Sequence, residues 1–181
     1  MTTRHIRNKR KKAREVLEKR YEKHRRQNMV RSEPGDLDFI VVLDNLKASF
    51  NIGKIFRSAD AFGACEVHLV GTNFFDPSPA MGSFKWVPAV FHDTFESCYA
   101  NLIERGYQVY VLEPEDGELL HEAQLPSKLA FVVGHEEFGF SFDKQEYEHQ
   151  TLKIKQMGKV QSLNVSVAAS IVMYEYFRQH G

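Results

Sequence analysis

Apolar residues along the chain recur with two different periods, and the two kinds of stretch alternate. Phe39–Leu43 is a continuous apolar run flanked by Asp38 and Asp44, which is typical of a strand buried on both faces of a parallel sheet. From Asn51 the apolar positions follow helical spacing, and Gly63 ends the predicted helix. The same alternation predicts later strands and helices at Val67–Val70, Asp93–Arg105, Tyr107–Leu112 and Leu129–Val133.

This order of elements predicts an α/β fold with a mostly parallel sheet and helices on both faces. Ligands of such sheets bind beyond the carboxyl ends of the strands. The strand ends here carry polar residues, at Asp44–Asn45, Leu112–Glu113, Gly134–Glu136 and after Ile154. Residues 72–88 show no periodicity, so we expect a long surface loop there.

The C-terminal part of the chain predicts a last helix. Apolar residues recur at three- and four-residue spacing from Leu163 to Tyr174, and Ser162 stands where an N-cap would stand. We therefore expect this helix to begin at Ser162 and to run to about Gln179. Its first turn offers free N–H donors and partial positive charge to the loop at 157–161. A ligand-binding helix start and a plain amphipathic core helix both fit the pattern.

The net charge of zero conceals two oppositely charged parts. Residues 1–30 hold twelve Lys and Arg against three Glu, a net +9, and the rest of the chain carries −9. Arg4–Met29 lacks Gly and Pro and has only a thin apolar stripe, so we expect a solvated basic helix. Such a helix favours binding to phosphate backbones, and an arm for an acidic protein partner is the alternative. We assign residues 1–35 to this extension and its linker, and residues 36–181 to the main domain.

Composition narrows the class of protein further. A chain of 181 residues with 43% apolar and 27% charged residues fits one soluble domain. No apolar run reaches membrane-spanning length, and the basic N-terminus lacks the apolar segment of a secretory signal, so we expect no membrane partner and a cytoplasmic location. Cys65 and Cys98 are far apart and the histidines lack metal-ligand spacing, so we expect no disulfide and no metal site.

Three ordered blocks of sequence resemble the motifs of one family. Asn51–Gly63 resembles the first motif, with its Asn, with Arg57 six residues later and with an Ala-x-Gly ending. Phe131–Ser141 resembles the second motif, and Ser162–Ala168 resembles the third. Over about residues 39–179 the chain is similar to the SpoU family of the SPOUT class, TrmH-like enzymes that methylate RNA ribose at the 2′-oxygen.

The resemblance implies a parallel α/β fold whose C-terminal part forms a deep trefoil knot around an S-adenosylmethionine pocket. It also implies a homodimer whose active site is completed across the interface, and an RNA substrate, with tRNA favoured over rRNA. No metal is implied. Carried over by position, the cofactor-binding residues are Leu112, Gly134, His135, Glu136, Ile154, Met157, Ser162, Leu163 and Asn164.

The resemblance places Arg57 at the chemistry. A guanidinium stays protonated, so we expect Arg57 to bind the phosphate next to the target ribose and to stabilise developing alkoxide charge, with Asn51 orienting it. Glu136 and Ser162 are candidates for proton handling. The family commonly has Asn where this chain has His135, which brings the usual side-chain contact with the cofactor into question but leaves its binding by main-chain groups intact. A non-catalytic RNA-binding module with the same fold is therefore the alternative function.

Overall fold

Strands and helices alternate through a computed structural model that describes residues 3–47 and 50–181. The helices are α1 (Thr3–Arg31), α2 (Phe50–Ala61), α3 (Phe95–Glu104) and α4 (Val165–His180). The strands are β1 (Leu37–Asp44), β2 (Ala64–Val70), β3 (Ala89–His92), β4 (Gln108–Leu112), β5 (Glu118–Leu119), β6 (Leu129–Val133) and β7 (Gln150–Lys153). Among these described segments, no helix has both the length and the apolar character that crossing a bilayer requires.

All the strands belong to one parallel sheet, in the order β3-β2-β1-β6-β4-β7-β5. β1 is central, with Val41 opposite Val67 of β2 and Phe131 of β6. Its last six residues are buried, as a continuous apolar run requires. The predicted α/β class and the predicted parallel sheet are therefore confirmed.

The two faces of the sheet carry separate apolar cores. On one face, Phe39 packs against Tyr176 of α4 with ring centroids 4.7 Å apart, and α2 lies beside α4. On the other face, Ile40 and Val42 belong to a core that includes Cys98 of α3. Successive residues of β1 thus face opposite layers, and helices cover both faces as expected.

The second half of α1 is bound to the main domain. Tyr21 is only 4% exposed and packs against Phe75 and Phe84, with ring centroids 5.4 and 6.0 Å away. The Asn28 amide donates hydrogen bonds to the carbonyls of Phe84 and Val87, at 2.8 and 2.7 Å. The expectation of a wholly solvated helix is therefore wrong for this half of α1.

The same contacts correct the expectation of a surface loop at residues 72–88. Phe75 and Phe84 are fully buried, and two short 3-10 turns, Ser78–Ala80 and Ser83–Lys85, shape the segment. Its aromatic side chains form the surface on which α1 lies. The segment has no periodicity because it is neither helix nor strand, yet it belongs to the core.

The N-cap of the last helix is Asn164, and the expectation that Ser162 caps it is wrong. The side-chain oxygen of Asn164 accepts hydrogen bonds from the backbone N–H of Ser166, at 3.0 Å, and from the Ser166 hydroxyl, at 2.6 Å. Asn and Ser are similarly good capping residues, so composition alone does not select between them. Ser162 is thereby left in the loop that precedes α4.

Candidate functional site

A cavity of about 450 Å³ opens at the carboxyl ends of β4, β6 and β7, on the side where α4 begins. This is the edge at which parallel α/β sheets bind their ligands. Seven of the residues that the resemblance assigned to cofactor binding line the cavity, namely Leu112, Gly134, His135, Glu136, Ile154, Ser162 and Leu163. Four separate stretches of sequence therefore meet at this cavity.

Some of the predicted residues lie apart from the cavity wall. Met157 is 89% exposed and is not among the lining residues. Asn164 is not a lining residue either, because its side chain caps α4. Arg57 is exposed on α2, so of the four predicted catalytic residues only Glu136 and Ser162 line the cavity itself.

The side chain of Asn51 joins the three blocks of sequence. Its amide nitrogen donates a hydrogen bond to a carboxylate oxygen of Glu136. Its side-chain oxygen accepts a hydrogen bond of 3.3 Å from the amide of Asn164. Asn51 lies in the first turn of α2, Glu136 follows β6 and Asn164 caps α4, so one amide fixes three elements with respect to one another.

The loop after β6 is closed tightly on itself. His135 and Gly139 exchange two backbone hydrogen bonds, of 2.8 and 2.9 Å, and Gly139 has the left-handed φ of 71° that favours glycine. A Cβ on Gly134 would lie 2.9 Å from the carbonyl of Gly139, so Gly134 has no room for a side chain. The glycines therefore shape the wall that this loop gives to the cavity.

The ring of His135 supports this loop from inside. Its Nδ1 accepts hydrogen bonds from the backbone N–H groups of Glu137, at 3.0 Å, and Phe138, at 3.3 Å. An acceptor that reaches the N–H groups two and three residues later is what an Asn side chain supplies in an Asx turn. The ring can therefore replace Asn in this local role, provided that Nδ1 carries no proton.

A buried carboxylate anchors the far end of the same loop. Asp44 ends β1 with no exposed surface, and it accepts hydrogen bonds of 2.6 Å from both the N–H and the hydroxyl of Ser141. Burial raises the pKa of Asp44, and the two bonds from Ser141 oppose that rise. The sequence pattern marked Asp44 only as a strand end, and its partner lies 97 residues away.

Among the further cavity residues, Glu113 was expected at a strand end, whereas Glu115, Asp116 and Gln156 were not predicted from the sequence. Glu115 and Asp116 give one side of the cavity a negative charge, whereas the neighbouring Glu113 forms an ion pair with Lys144. The side-chain oxygen of Gln156 is buried and has no hydrogen-bond partner among residues 3–47 and 50–181. The acidic run directly after β4 is a visible signal in the sequence, whereas nothing in the pattern marks Gln156.

The lining combines apolar walls with acidic edges and one unsatisfied acceptor. Leu112, Ile154 and Leu163 supply the apolar part. Such a hollow suits a ligand with a flat apolar group, a hydrogen-bond donor for Gln156 and a positive charge.

We predict that His135→Ala lowers the free energy of unfolding by about 1 kcal/mol, because two backbone N–H groups lose their acceptor. His135→Asn should recover most of this loss, because its side-chain oxygen takes the place of Nδ1. Urea unfolding of the wild type and both variants measures the difference. Equal destabilisation in the two variants would contradict the assigned role of the ring.

Comparison with known proteins identifies the family. The model of the SpoU rRNA Methylase family matches residues 38–174. A tRNA (guanosine(18)-2′-O)-methyltransferase of Thermus thermophilus is 35% identical over 147 residues, which cover 78% of this chain and 75% of that protein. The Escherichia coli enzyme of the same name is 32% identical over 146 residues, which cover 78% of this chain and 64% of that protein.

Solved structures agree with the sequence comparison. The A. aeolicus TrmH/SpoU tRNA modifying enzyme superposes with a TM-score of 0.72 at 31% identity, over 91% of this chain and 84% of that one. An AdoMet-bound rRNA methyltransferase from Sinorhizobium meliloti gives a TM-score of 0.72 at 25% identity, over 82% of this chain and 59% of that one. The chain belongs to the SpoU rRNA methylase family.

Proposed function

We propose that this protein is an S-adenosylmethionine-dependent methyltransferase that modifies a ribose 2′-hydroxyl of RNA, with tRNA favoured over rRNA. The observation that carries the proposal is the cavity at the strand ends, around which Asn51 joins the three family motifs. The relatives named as methyltransferases act on tRNA and on rRNA, and both kinds of name occur among them. The Thermus relative is named as a tRNA methyltransferase, and the alignment covers 75% of its length, which favours tRNA.

The residues of the cavity fit the cofactor. When bound, S-adenosylmethionine supplies a methyl group activated by a positively charged sulfonium. The apolar side chains of Leu112, Ile154 and Leu163 suit the adenine, and the acidic edge suits the positive charge. The unpaired oxygen of Gln156 would accept a hydrogen bond from an amino group of the cofactor.

The positions of the protein side chains support the following roles. Arg57 is exposed on α2, six residues after Asn51, where its guanidinium can bind a phosphate of the RNA and stabilise charge on the attacking oxygen. Glu136 and Ser162, which line the cavity, remain the candidates to take the hydroxyl proton. Asn51 holds the Glu136 carboxylate in place by its hydrogen bond.

We predict that Arg57→Ala lowers methyl transfer to RNA by about 10²–10³-fold, the usual decrease when a group that stabilises developing charge is removed. Cofactor affinity should stay within a few-fold, since Arg57 does not line the cavity. Transfer is measured from labelled cofactor to RNA, with the methylated nucleosides identified by mass spectrometry, and affinity is measured by calorimetry.

Two comparisons make this experiment specific. Arg57→Lys keeps the charge but not the planar fork, so it should recover only part of the activity. Lys128→Ala removes another exposed cation, just before β6 and at the edge of the sheet opposite the cavity, and should leave transfer unchanged. Unchanged transfer in Arg57→Ala would refute the catalytic role. Absence of transfer by the wild type, with cofactor and RNA bound, would favour the non-catalytic module instead.

We propose that the C-terminal part of the chain is tied into the trefoil knot of the family. The order of the sheet supports this, because β7 lies between β4 and β5. The chain joins β4 to β5 earlier, through residues 113–117. A later strand is thus inserted between two strands that are already connected. The knotted segment would include the walls of the cavity, which would keep them in place without a ligand.

We also propose a homodimer that is formed through α4. Four large apolar residues on this helix are between 37% and 53% exposed and follow one another at three- and four-residue spacing: Val167, Ile171, Tyr174 and Phe177. The opposite side of α4 is buried against the sheet. A continuous apolar stripe beside a buried face is typical of an interface that a second copy covers.

We predict that Ile171→Arg converts the protein to a monomer, because it places a charge in the middle of the stripe. Ile103→Arg is the matched control, since Ile103 is similarly exposed but lies on α3. Sedimentation velocity should show a dimer for the wild type and the control. A wild-type monomer, or a dimer that survives Ile171→Arg, would refute this interface.

The first half of α1 supplies the charge for RNA binding in this proposal. Lys9, Lys11 and Lys12 are exposed, whereas Tyr21 and Asn28 bind the second half to the main domain. The main domain carries net negative charge, which repels phosphate at long range. Because the second half of α1 is fixed to the main domain, the positively charged first half would stay close to the domain that contains the cavity.

We predict that replacing Lys9, Lys11 and Lys12 together by Gln weakens RNA binding and makes its salt dependence less steep. The slope of log affinity against log salt should fall by roughly 0.7–0.9 for each phosphate that these side chains no longer neutralise. The triple Lys→Arg variant keeps the charge and should keep the slope. Fluorescence anisotropy with one tRNA over a range of salt concentrations measures both, and equal slopes for the Gln variant and the wild type would exclude an RNA-binding role for these lysines.

A further inference from the structure

A second cluster of reactive side chains lies away from the cavity, between β2, β3 and α3. His68 of β2 and Cys98 of α3 are fully buried, and His92 at the end of β3 is half-buried. One nitrogen of each histidine and the sulfur of the cysteine all lie within 4.8 Å of one another. The proposed methyl transfer uses none of these groups.

The sheet register brings the two histidines together. His68 is opposite Val90 and Val70 is opposite His92, so the two histidines are diagonal neighbours on the same face. Cys98 belongs to the core that α3 forms on that face. Three side chains of metal-binding types, from three elements, thus converge on one point beside this core.

The two distances from His68 Nδ1 to the other ligand atoms are close to those of a zinc coordination sphere. His68 Nδ1 lies 3.1 Å from His92 Nε2 and 3.6 Å from Cys98 Sγ. Tetrahedral zinc with ordinary bond lengths separates two nitrogen ligands by about 3.3 Å and a nitrogen from a sulfur by about 3.6 Å. Two edges of the tetrahedron are therefore already close to their required lengths, and the third pair of ligand atoms, from His92 and Cys98, lies within 4.8 Å.

The groups behind the histidine also have the arrangement of a metal site. His68 Nε2 lies 2.8 Å from Glu66, and Arg105 holds both oxygens of that carboxylate, at 2.7 and 3.0 Å. When the Glu66 carboxylate accepts a hydrogen bond from Nε2–H of His68, Nδ1 carries no proton and its lone pair faces Cys98 and His92. Metal-bound histidines in proteins are oriented in this way.

We propose that His68, His92 and Cys98 bind one Zn²⁺. Two imidazoles and one thiolate favour zinc and exclude magnesium and calcium, which prefer oxygen ligands. The thiol proton of Cys98 is released to solvent on binding, and a water molecule that enters beside half-buried His92 completes the tetrahedron. The expectation of no metal, which rested on sequence spacing, is replaced by this proposal.

The zinc ion would have a structural role. β3 consists of four half-buried residues and lies at one edge of the sheet, where it pairs with β2. A metal bound by β2, β3 and α3 would join this edge strand to the rest of the protein. The metal would be separated by β1 from β4, β6 and β7, the strands whose ends form the cavity. Removing the metal should therefore lower the thermal midpoint of unfolding.

The test uses the full-length protein without a histidine tag. Metal-free protein is equilibrated with Zn²⁺ and freed of excess metal, and the zinc bound per chain is measured by elemental mass spectrometry. A parallel sample is equilibrated with Co²⁺ and its absorption spectrum is recorded. We expect one Zn²⁺ per chain, a raised thermal midpoint, and the thiolate-to-cobalt charge-transfer absorption. Absence of stoichiometric zinc and of the cobalt spectrum in the wild type would overturn the proposal.

Variants identify the ligands. Cys98→Ser should abolish the charge-transfer absorption and the bound zinc, whereas Cys65→Ser, the matched control at the other cysteine, should keep both. Glu66→Gln keeps the three ligands and should weaken zinc binding by about 10–100-fold. If Cys98→Ser fails to fold by circular dichroism, His92→Gln at the sheet edge provides the same test. Zinc retained in both ligand variants, or absent from Cys65→Ser, would refute the assignment.

Discussion

The hydrogen bonds of Asn51 are the interactions on which the candidate site depends. This amide donates to Glu136 and accepts from Asn164, so it joins the start of α2, the loop after β6 and the cap of α4. A side-chain amide can do this because it is both donor and acceptor, whereas a carboxylate only accepts and an ammonium only donates. The three motifs, which are far apart in the sequence, are thereby joined through one side chain from each.

The rest of the site is arranged around this meeting point. The bond between Asp44 and Ser141 fixes the far end of the β6 loop, and the ring of His135 fixes its interior. Each of these groups satisfies backbone N–H donors that the loop would otherwise leave unpaired. The cavity wall is thus held by the protein itself, which favours a site formed before the ligand arrives. The positive charge needed for RNA lies on a different element, the first half of α1.

Much of the fold could be predicted from local pattern, and the failures have a common physical cause. β1 was predicted correctly because a central parallel strand is an uninterrupted apolar run. β3 was not, because a short, half-buried edge strand has no such run. Tyr21 is buried against aromatic residues of 72–88 that themselves pack on Phe56 of α2. The selection of Asn164 over Ser162 as cap coincides with its bond to Asn51. His68 and His92, 24 residues apart, meet only through the register of β2 and β3. In each case an interaction between distant parts of the chain decides the outcome.

Calorimetric titration of S-adenosylmethionine into the wild type and Asn51→Asp tests the central claim most directly. The substitution keeps the acceptor for Asn164 but puts a second carboxylate beside Glu136, so the wall of the cavity loses its bond to α2. The account predicts one cofactor site per chain in the wild type and an affinity about tenfold weaker or worse in Asn51→Asp, since removing one charged hydrogen bond corresponds to roughly that factor. Asn101→Asp, on α3, should bind like the wild type. Equal affinities for wild type and Asn51→Asp would contradict the claim that this amide holds the site together.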